Sequence, residues 1–211
     1  MKPQTASNAK KIRRVFWMKH LRQWHWISAA LCLVATMLFA VTGVTLNHAA
    51  QIEAKPKTSE QMAMLPANLL PSLEKHEGDA GPLPDPVVAW VHEALGVDVA
   101  GRSGEWMEDE VYLALPRPGG DAFLTLDRTT GEAAYSKTTR GWISYLNDLH
   151  KGRNTGWWWR GFIDVFALGC VVFTVTGLGL LWLHGDARKI TWPLVGIGLA
   201  IPFLIALLLI H

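Results

Sequence analysis

The chain has 211 residues, of which 50% are hydrophobic and only 18% are charged, and its mean hydropathy is +0.16. These values are too apolar for an ordinary soluble domain and too polar for a protein embedded wholly in a membrane, so both classes are excluded. The net charge of +2 is small, but it is very unevenly distributed along the chain.

Three segments contain no Lys, Arg, Asp or Glu and are long enough to cross a bilayer. They are Ile27–Leu46, Val165–Leu183 and Trp192–Ile210. Each has about 19 or 20 residues, which at ~1.5 Å per residue matches a hydrocarbon core of ~30 Å. We therefore predict a membrane α-helical protein with three transmembrane helices. With their flanks, these helices are predicted to cover residues 16–48, 157–184 and 190–211.

The charges predict how the helices are oriented. Residues 1–26 hold seven basic residues and no acidic one, whereas residues 49–157 hold sixteen acidic and ten basic residues. Cytoplasmic flanks are enriched in Lys and Arg, so residues 1–15 are interpreted as a cytoplasmic basic tail and residues 49–157 as lying outside. Beside a membrane helix, such a tail orients insertion and contacts anionic lipid, so no nucleic-acid partner is expected. A cleaved signal peptide is the alternative interpretation, but the 20-residue apolar core exceeds the usual 7–15 residues.

The outer segment is predicted to contain one small domain between two connecting regions. Residues 49–84 are rich in Pro, Glu, Lys and Gly, and they are interpreted as a linker with at most a short helix near Met62–Leu65. Residues 85–137 form the predicted compact α+β unit. Residues 138–156 are predicted to form an interfacial helix followed by a loop.

Within the compact unit, a helix is expected to begin at Pro86 and to end at Gly96. Three strands are then predicted from apolar alternation and from the Gly-containing turns between them. The predicted strands are Glu110–Leu115, Ala122–Asp127 and Glu132–Tyr135.

The two cysteines are expected to be unpaired. Cys32 is near the inner end of the first predicted helix and Cys170 near the outer end of the second, so they are predicted to lie at different depths. Both thiols are interpreted as small packing residues.

Histidines at the membrane boundaries are the candidate functional residues. His25 and His48 bracket the first apolar segment, and His150 and His184 bracket the second. Neutral imidazole is a good ligand for haem iron, and ionisable residues at membrane depth need a partner. We therefore predict an outer haem held by His48 and His150, and an inner haem held by His25 and His184, with iron as the metal. His20 is a second candidate for the inner site.

Four arginines are candidates for the haem propionates, with which they would form charge-assisted hydrogen bonds: Arg22 and Arg188 at the inner site, and Arg153 and Arg160 at the outer site. The alternative for all four histidines is that they extend to the lipid headgroups beside tryptophans. The haem hypothesis also has a geometric difficulty, because 23 residues separate His25 from His48, which is ~34 Å along a straight helix.

Several short motifs together resemble one known family. Leu124–Glu132 resembles the strand-turn-strand signature of PepSY domains. Leu149-His150-Lys-Gly, Trp157–Gly161 and Thr176-Gly177-Leu178 resemble the PepSY-associated transmembrane helix family. His25 after Arg22, and Thr42-Gly43 near the end of the first helix, also fit that family.

The resemblance implies a bacterial inner-membrane protein with a periplasmic PepSY-like domain. Some family members are haem-containing reductases that release iron from ferric siderophores, which implies haem b, two per chain, and electron transfer from the cytoplasmic side to a periplasmic acceptor. A transmembrane ferric-siderophore reductase is thus one possible enzyme, and no catalytic residue is assigned. A homodimer or a larger redox complex is also implied, because larger members have more membrane helices. The alternative function is a haem-free PepSY membrane anchor that binds or regulates a partner protein.

Overall fold

The computed structural model describes residues 3–52, 54–74, 76, 78–184 and 189–210. The chain divides into two compact units. We call Met1–Leu38 together with Phe162–His211 the helical unit, and Phe39–Gly161 the sheet unit.

Three of the described helices are long and apolar enough to span a membrane, as the apolar segments predict. They are α1 (Pro3–Asn47), α5 (Gly156–His184) and α6 (Thr191–Leu209). No side chain of α6 is buried, so every face of this apolar helix is open to lipid or to another protein. The chain is therefore a membrane α-helical protein with an α+β domain.

In the helical unit, glycines of α5 allow close contact with α1. A Cβ atom on Gly169 would lie 2.6 Å from the Cys32 sulfur, and Cys32 is 5% exposed. Cys32 thus lies beside the residue that precedes Cys170, and the prediction that the two cysteines lie at different depths is wrong. The reason is that α5 begins at Gly156, nine residues before the apolar segment does, which moves position 170 further along the helix. Both thiols are free.

The sheet unit contains a six-stranded antiparallel sheet with the order β1-β6-β5-β4-β3-β2. Its strands are β1 (Lys57–Met64), β2 (Ala80–Pro82), β3 (Ser103–Trp106), β4 (Glu110–Ala114), β5 (Gly120–Asp127) and β6 (Glu132–Thr139). Its helices are α2 (Leu70–Glu74), α3 (Asp85–Leu95) and α4 (Trp142–Lys151).

The predicted helix after Pro86 and the three predicted strands are confirmed as α3, β4, β5 and β6. Gly96 closes α3 in the left-handed conformation, with φ of 66°. β6 runs four residues beyond its predicted end, to Thr139, because it pairs with β5 on one side and β1 on the other.

The linker predicted over residues 49–84 is wrong between residues 57 and 82, where the structure has β1, α2 and β2. The proposed short helix near Met62–Leu65 is likewise replaced by the end of β1. β1 is an edge strand with seven of its eight residues exposed, so its sequence lacks the alternation that marks a half-buried strand.

One face of the sheet carries the hydrophobic core. Val87, Val91 and Leu95 of α3 pack with alternate residues of the central strands, including Leu113 and Leu124, and all five are buried. The register pairs Leu113 with Leu124 directly across β4 and β5, so their side chains stabilise the sheet from the same face. The core is thus built by strict alternation along β4 and β5.

We predict that Leu124→Ala destabilises the sheet by about 2–5 kcal/mol, because a fully buried leucine leaves a cavity. Hydrogen exchange of peptides from β5 in the full-length protein measures the change. Met62→Ala is the matched control, since Met62 is 68% exposed and its truncation should change stability by about 0.5 kcal/mol or less. Equal protection in the two variants would contradict this packing.

The turn between β5 and β6 has a carboxylate at its first position. The Asp127 side chain accepts hydrogen bonds from the backbone amides of Thr130 and Thr129, at 2.6 and 2.9 Å. These amides, that of Thr130 foremost, hold the pKa of Asp127 below its ordinary value of 3.8.

We predict that Asp127→Asn lowers the stability of the sheet unit at neutral pH, with a difference that disappears in acid. A depressed carboxyl pKa stabilises the folded state above the unfolded pKa of 3.8, and this contribution is lost as the pH falls through the lower folded value. Hydrogen exchange of the turn amides at a series of pH values, corrected for intrinsic exchange, tests this. A difference between wild type and variant that stays constant below pH 3.8 would argue against it.

Candidate functional site

His25 of α1 is held by the facing helix α5. Its Nδ1 atom lies 3.1 Å from the Phe173 carbonyl oxygen and 3.2 Å from the Thr176 hydroxyl. The imidazole stacks on the Phe173 ring, with centroids 4.4 Å apart and an interplanar angle of 15°. A Cβ atom on Gly177 would lie 3.2 Å from the His25 ring, so a glycine leaves room for it.

His150, near the end of α4, is held in the same manner by α1. Its Nδ1 atom lies 2.7 Å from the Thr42 hydroxyl, and its ring centroid lies 4.9 Å from that of Phe39. A Cβ atom on Gly43 would lie 3.6 Å from the His150 ring. Both threonines are buried, at 3% exposed for Thr42 and 8% for Thr176.

The two histidines therefore contact the same local sequence, Phe-x-Val-Thr-Gly, which occurs as Phe39–Gly43 in α1 and as Phe173–Gly177 in α5. Because residues three and four apart lie on one face of a helix, Phe, Thr and Gly form a continuous surface. We call each of these pentapeptides a histidine seat.

The hydrogen bonds show which nitrogen of each ring is held. A carbonyl oxygen only accepts, so the contact with Phe173 requires that His25 donates through Nδ1–H. The Thr42 hydroxyl lies 3.3 Å from the Phe39 carbonyl oxygen and 2.7 Å from the His150 Nδ1, so it can accept from Nδ1–H while it donates to the carbonyl. In a neutral imidazole held through Nδ1–H, Nε2 has the free lone pair, which is the form that binds iron.

Further polar contacts fix the position of α4. Thr45 donates to the side-chain oxygen of Asn147 at 2.8 Å, one helical turn from the contact between Thr42 and His150. On the sheet side, the Asp148 carboxylate accepts from the Gly119 amide at 2.8 Å. Gly119 has φ of 73°, and a Cβ atom there would lie 2.8 Å from Tyr145 Cα, so only glycine allows this approach. These contacts position the His150 ring.

The other two predicted iron ligands are His184 and His48. His184 is exposed, and its Nδ1 donates to the Leu180 carbonyl at 2.9 Å. His48 is exposed in a turn after α1. All four predicted ligands are described, and the structure shows no ring contact or hydrogen bond between His48 and His150 or between His25 and His184.

His20 is partly exposed, three of the candidate arginines are exposed, and the fourth, Arg188, lies outside the described residues. His20 Nδ1 donates to the Phe16 carbonyl of its own helix at 2.9 Å. Arg22, Arg153 and Arg160 are exposed, and within the part of the chain that the structure describes none of them has a salt-bridge partner. Their guanidinium groups are free to meet an anionic ligand.

Comparison with known proteins identifies the family. A family model described as "Putative PepSY_TM-like" matches residues 16–211, which is nearly the whole chain, so the protein belongs to this PepSY-associated transmembrane family. The predicted family and fold class are thus confirmed. No curated protein and no solved structure matches the chain.

We predict that Thr42→Val loosens α4, because the His150 Nδ1–H loses its acceptor while the shape of residue 42 is kept. Loss of one such hydrogen bond costs about 0.5–1.5 kcal/mol, so amides of Trp142–Lys151 should exchange roughly 2–10 times faster. Thr174→Val is the control, since that hydroxyl donates only to the carbonyl of Cys170 in its own helix. Unchanged protection of α4 would show that the bond does not hold it.

Proposed function

We propose that this protein binds haem b at two sites and transfers electrons across the membrane to an external acceptor. The observation that carries the proposal is that His25 and His150 are both held at Nδ1 by the facing helix. Two rings held at the same nitrogen, each on a Phe-x-Val-Thr-Gly seat, are better explained by ligation through Nε2 than by contact with lipid headgroups, which needs no such fixed orientation.

The residues present fit this group. His25 with His184 at the inner site, and His150 with His48 at the outer site, are the residues proposed to hold the two haems. His184 is also held through Nδ1, which donates to a carbonyl and leaves Nε2 as the atom for iron. Haem held by these residues would supply one-electron redox chemistry.

The seats orient the ligands. A threonine that accepts from Nδ1–H would fix the ring plane and make Nε2 a more basic ligand for haem iron. Arg22 on the inner side and Arg153 and Arg160 on the outer side are proposed to pair with the propionates, since all three are exposed cations.

The proposed direction of electron transfer and the proposed acceptor are inferred from the charge asymmetry and from the family resemblance. With residues 1–26 in the cytoplasm of a bacterium, the sheet unit lies in the periplasm. A ferric siderophore is the proposed acceptor: its Fe³⁺ takes one electron and becomes Fe²⁺, which siderophores hold weakly. A homodimer or a larger redox complex would cover α6, which has no buried side chain in the single chain.

The test is the reduced-minus-oxidised visible spectrum and the haem content of full-length protein expressed with added haem. We expect about two haems per chain in the wild type and loss of one in His25→Ala or in His150→Ala, because each substitution removes an axial ligand. His92→Ala is the control, since His92 lies on α3 of the sheet unit, and it should keep the wild-type spectrum.

Two outcomes would contradict the proposal. A folded but colourless wild-type protein after haem supplementation favours the alternative, a haem-free membrane anchor that binds a partner protein. Haem that is retained equally in His25→Ala, His150→Ala and His92→Ala shows that other residues hold it.

A further inference from the structure

A groove between α1 and α5 of the helical unit has a charged end and an apolar end. Its volume is about 650 Å³, and its lining includes Arg13 and Arg14 of α1 and Gly179 of α5. It shares Val175 with the seat Phe173–Gly177, but Phe173, Thr176 and Gly177, which contact His25, are not part of its lining. Of the described residues that line it, none is acidic.

The charged end is built to bind an anion. The Arg14 Nη2 atom donates to the Leu183 carbonyl at 2.7 Å, near the end of α5, which fixes this guanidinium at the rim of the groove. The bond uses one N–H, so most of the guanidinium donors remain for a ligand. Arg13 adds a second positive charge beside it. Paired guanidinium groups suit phosphate oxygens, which they bind in bidentate geometry.

The apolar end runs along the same two helices. From Arg13 and Arg14 the groove extends to Leu21 on α1, and from Leu183 it extends to Val175 on α5. Seven or eight residues of helix correspond to ~10–12 Å. At Gly179 the missing side chain leaves room for Leu21, whose Cδ1 atom would lie 3.1 Å from a Cβ atom there.

Two exposed indoles mark where the charged end lies in the membrane. Trp17 and Trp182 line the groove beside the arginines and are 53% and 73% exposed. Tryptophan is enriched at the headgroup level of a bilayer, so the arginines lie where lipid phosphates lie and Val175 lies at the depth of acyl chains.

We propose that this groove is a specific site for one anionic phospholipid, with the phosphate on Arg13 and Arg14 and one acyl chain along Leu21, Gly179 and Val175. A free phosphate ion would occupy only the charged end. The apolar continuation therefore favours the lipid. The proposal is independent of haem, since no proposed iron ligand lines the groove.

The test is native mass spectrometry of the full-length, delipidated protein titrated with phosphatidylglycerol, phosphatidylcholine or inorganic phosphate. We expect one phosphatidylglycerol to bind, at least several-fold more tightly than phosphatidylcholine, and inorganic phosphate not to displace it. Arg13→Gln and Arg14→Gln should each weaken binding by about fivefold, because each removes a cation from an anionic headgroup.

Lys11→Gln is the matched control, because it removes one positive charge from α1 outside the groove, and it should bind phosphatidylglycerol as the wild type does. Val175→Trp keeps both arginines but fills the apolar end, so it should weaken the binding of phosphatidylglycerol by a similar factor. Equal binding by Arg13→Gln and Lys11→Gln, or equal binding of the two lipids, overturns the proposal. Displacement by inorganic phosphate, or full binding by Val175→Trp, shows an anion site without an acyl-chain groove and overturns it too.

Discussion

The hydrogen bond from an imidazole Nδ1–H to a helical threonine is the interaction on which the rest of this site depends. An imidazole between apolar helices must satisfy its N–H, and few acceptors exist there. The Thr42 hydroxyl lies 2.7 Å from the His150 Nδ1, and for His25 the Thr176 hydroxyl shares this role with the Phe173 carbonyl. Each ring is thus held through Nδ1.

Within the sheet unit, this bond is one of several that hold α4. His150 and Asn147 attach α4 to Thr42 and Thr45 near the end of α1, while Asp148 attaches the same short helix to the Gly119 turn between β4 and β5. α4 has two buried polar side chains, Asn147 and Asp148, and both are used in these attachments. The position of a candidate ligand thus depends on the hairpin of the sheet as well as on the membrane helix.

The fold was largely predictable for helices and strands that bury one face and expose the other. β4 and β5 alternate strictly between core and surface, and α3 has both a proline start and a glycine end, so each left a clear pattern in the sequence. β1 did not, because it is an edge strand exposed on both faces, and β2 is too short to show any period. α5 begins at Gly156, and Arg160 and Asp164 lie on the same helix as its apolar segment.

The candidate site was predictable only in part. Histidines at the ends of apolar segments mark His25 and His150, but the sequence does not show that their ring contacts are Thr176 and Thr42 rather than His184 and His48. The sequence feature that could have predicted these contacts is the Phe-x-Val-Thr-Gly repeat, of which only the Thr-Gly pairs fit the family pattern. The repeat has a further consequence, because α1 takes part in both contacts. It carries the seat that receives His150 and also the ring, His25, that occupies the seat of α5. A chain without α1 would therefore lose both arrangements at once, leaving His150 without a seat and the α5 seat without a ring.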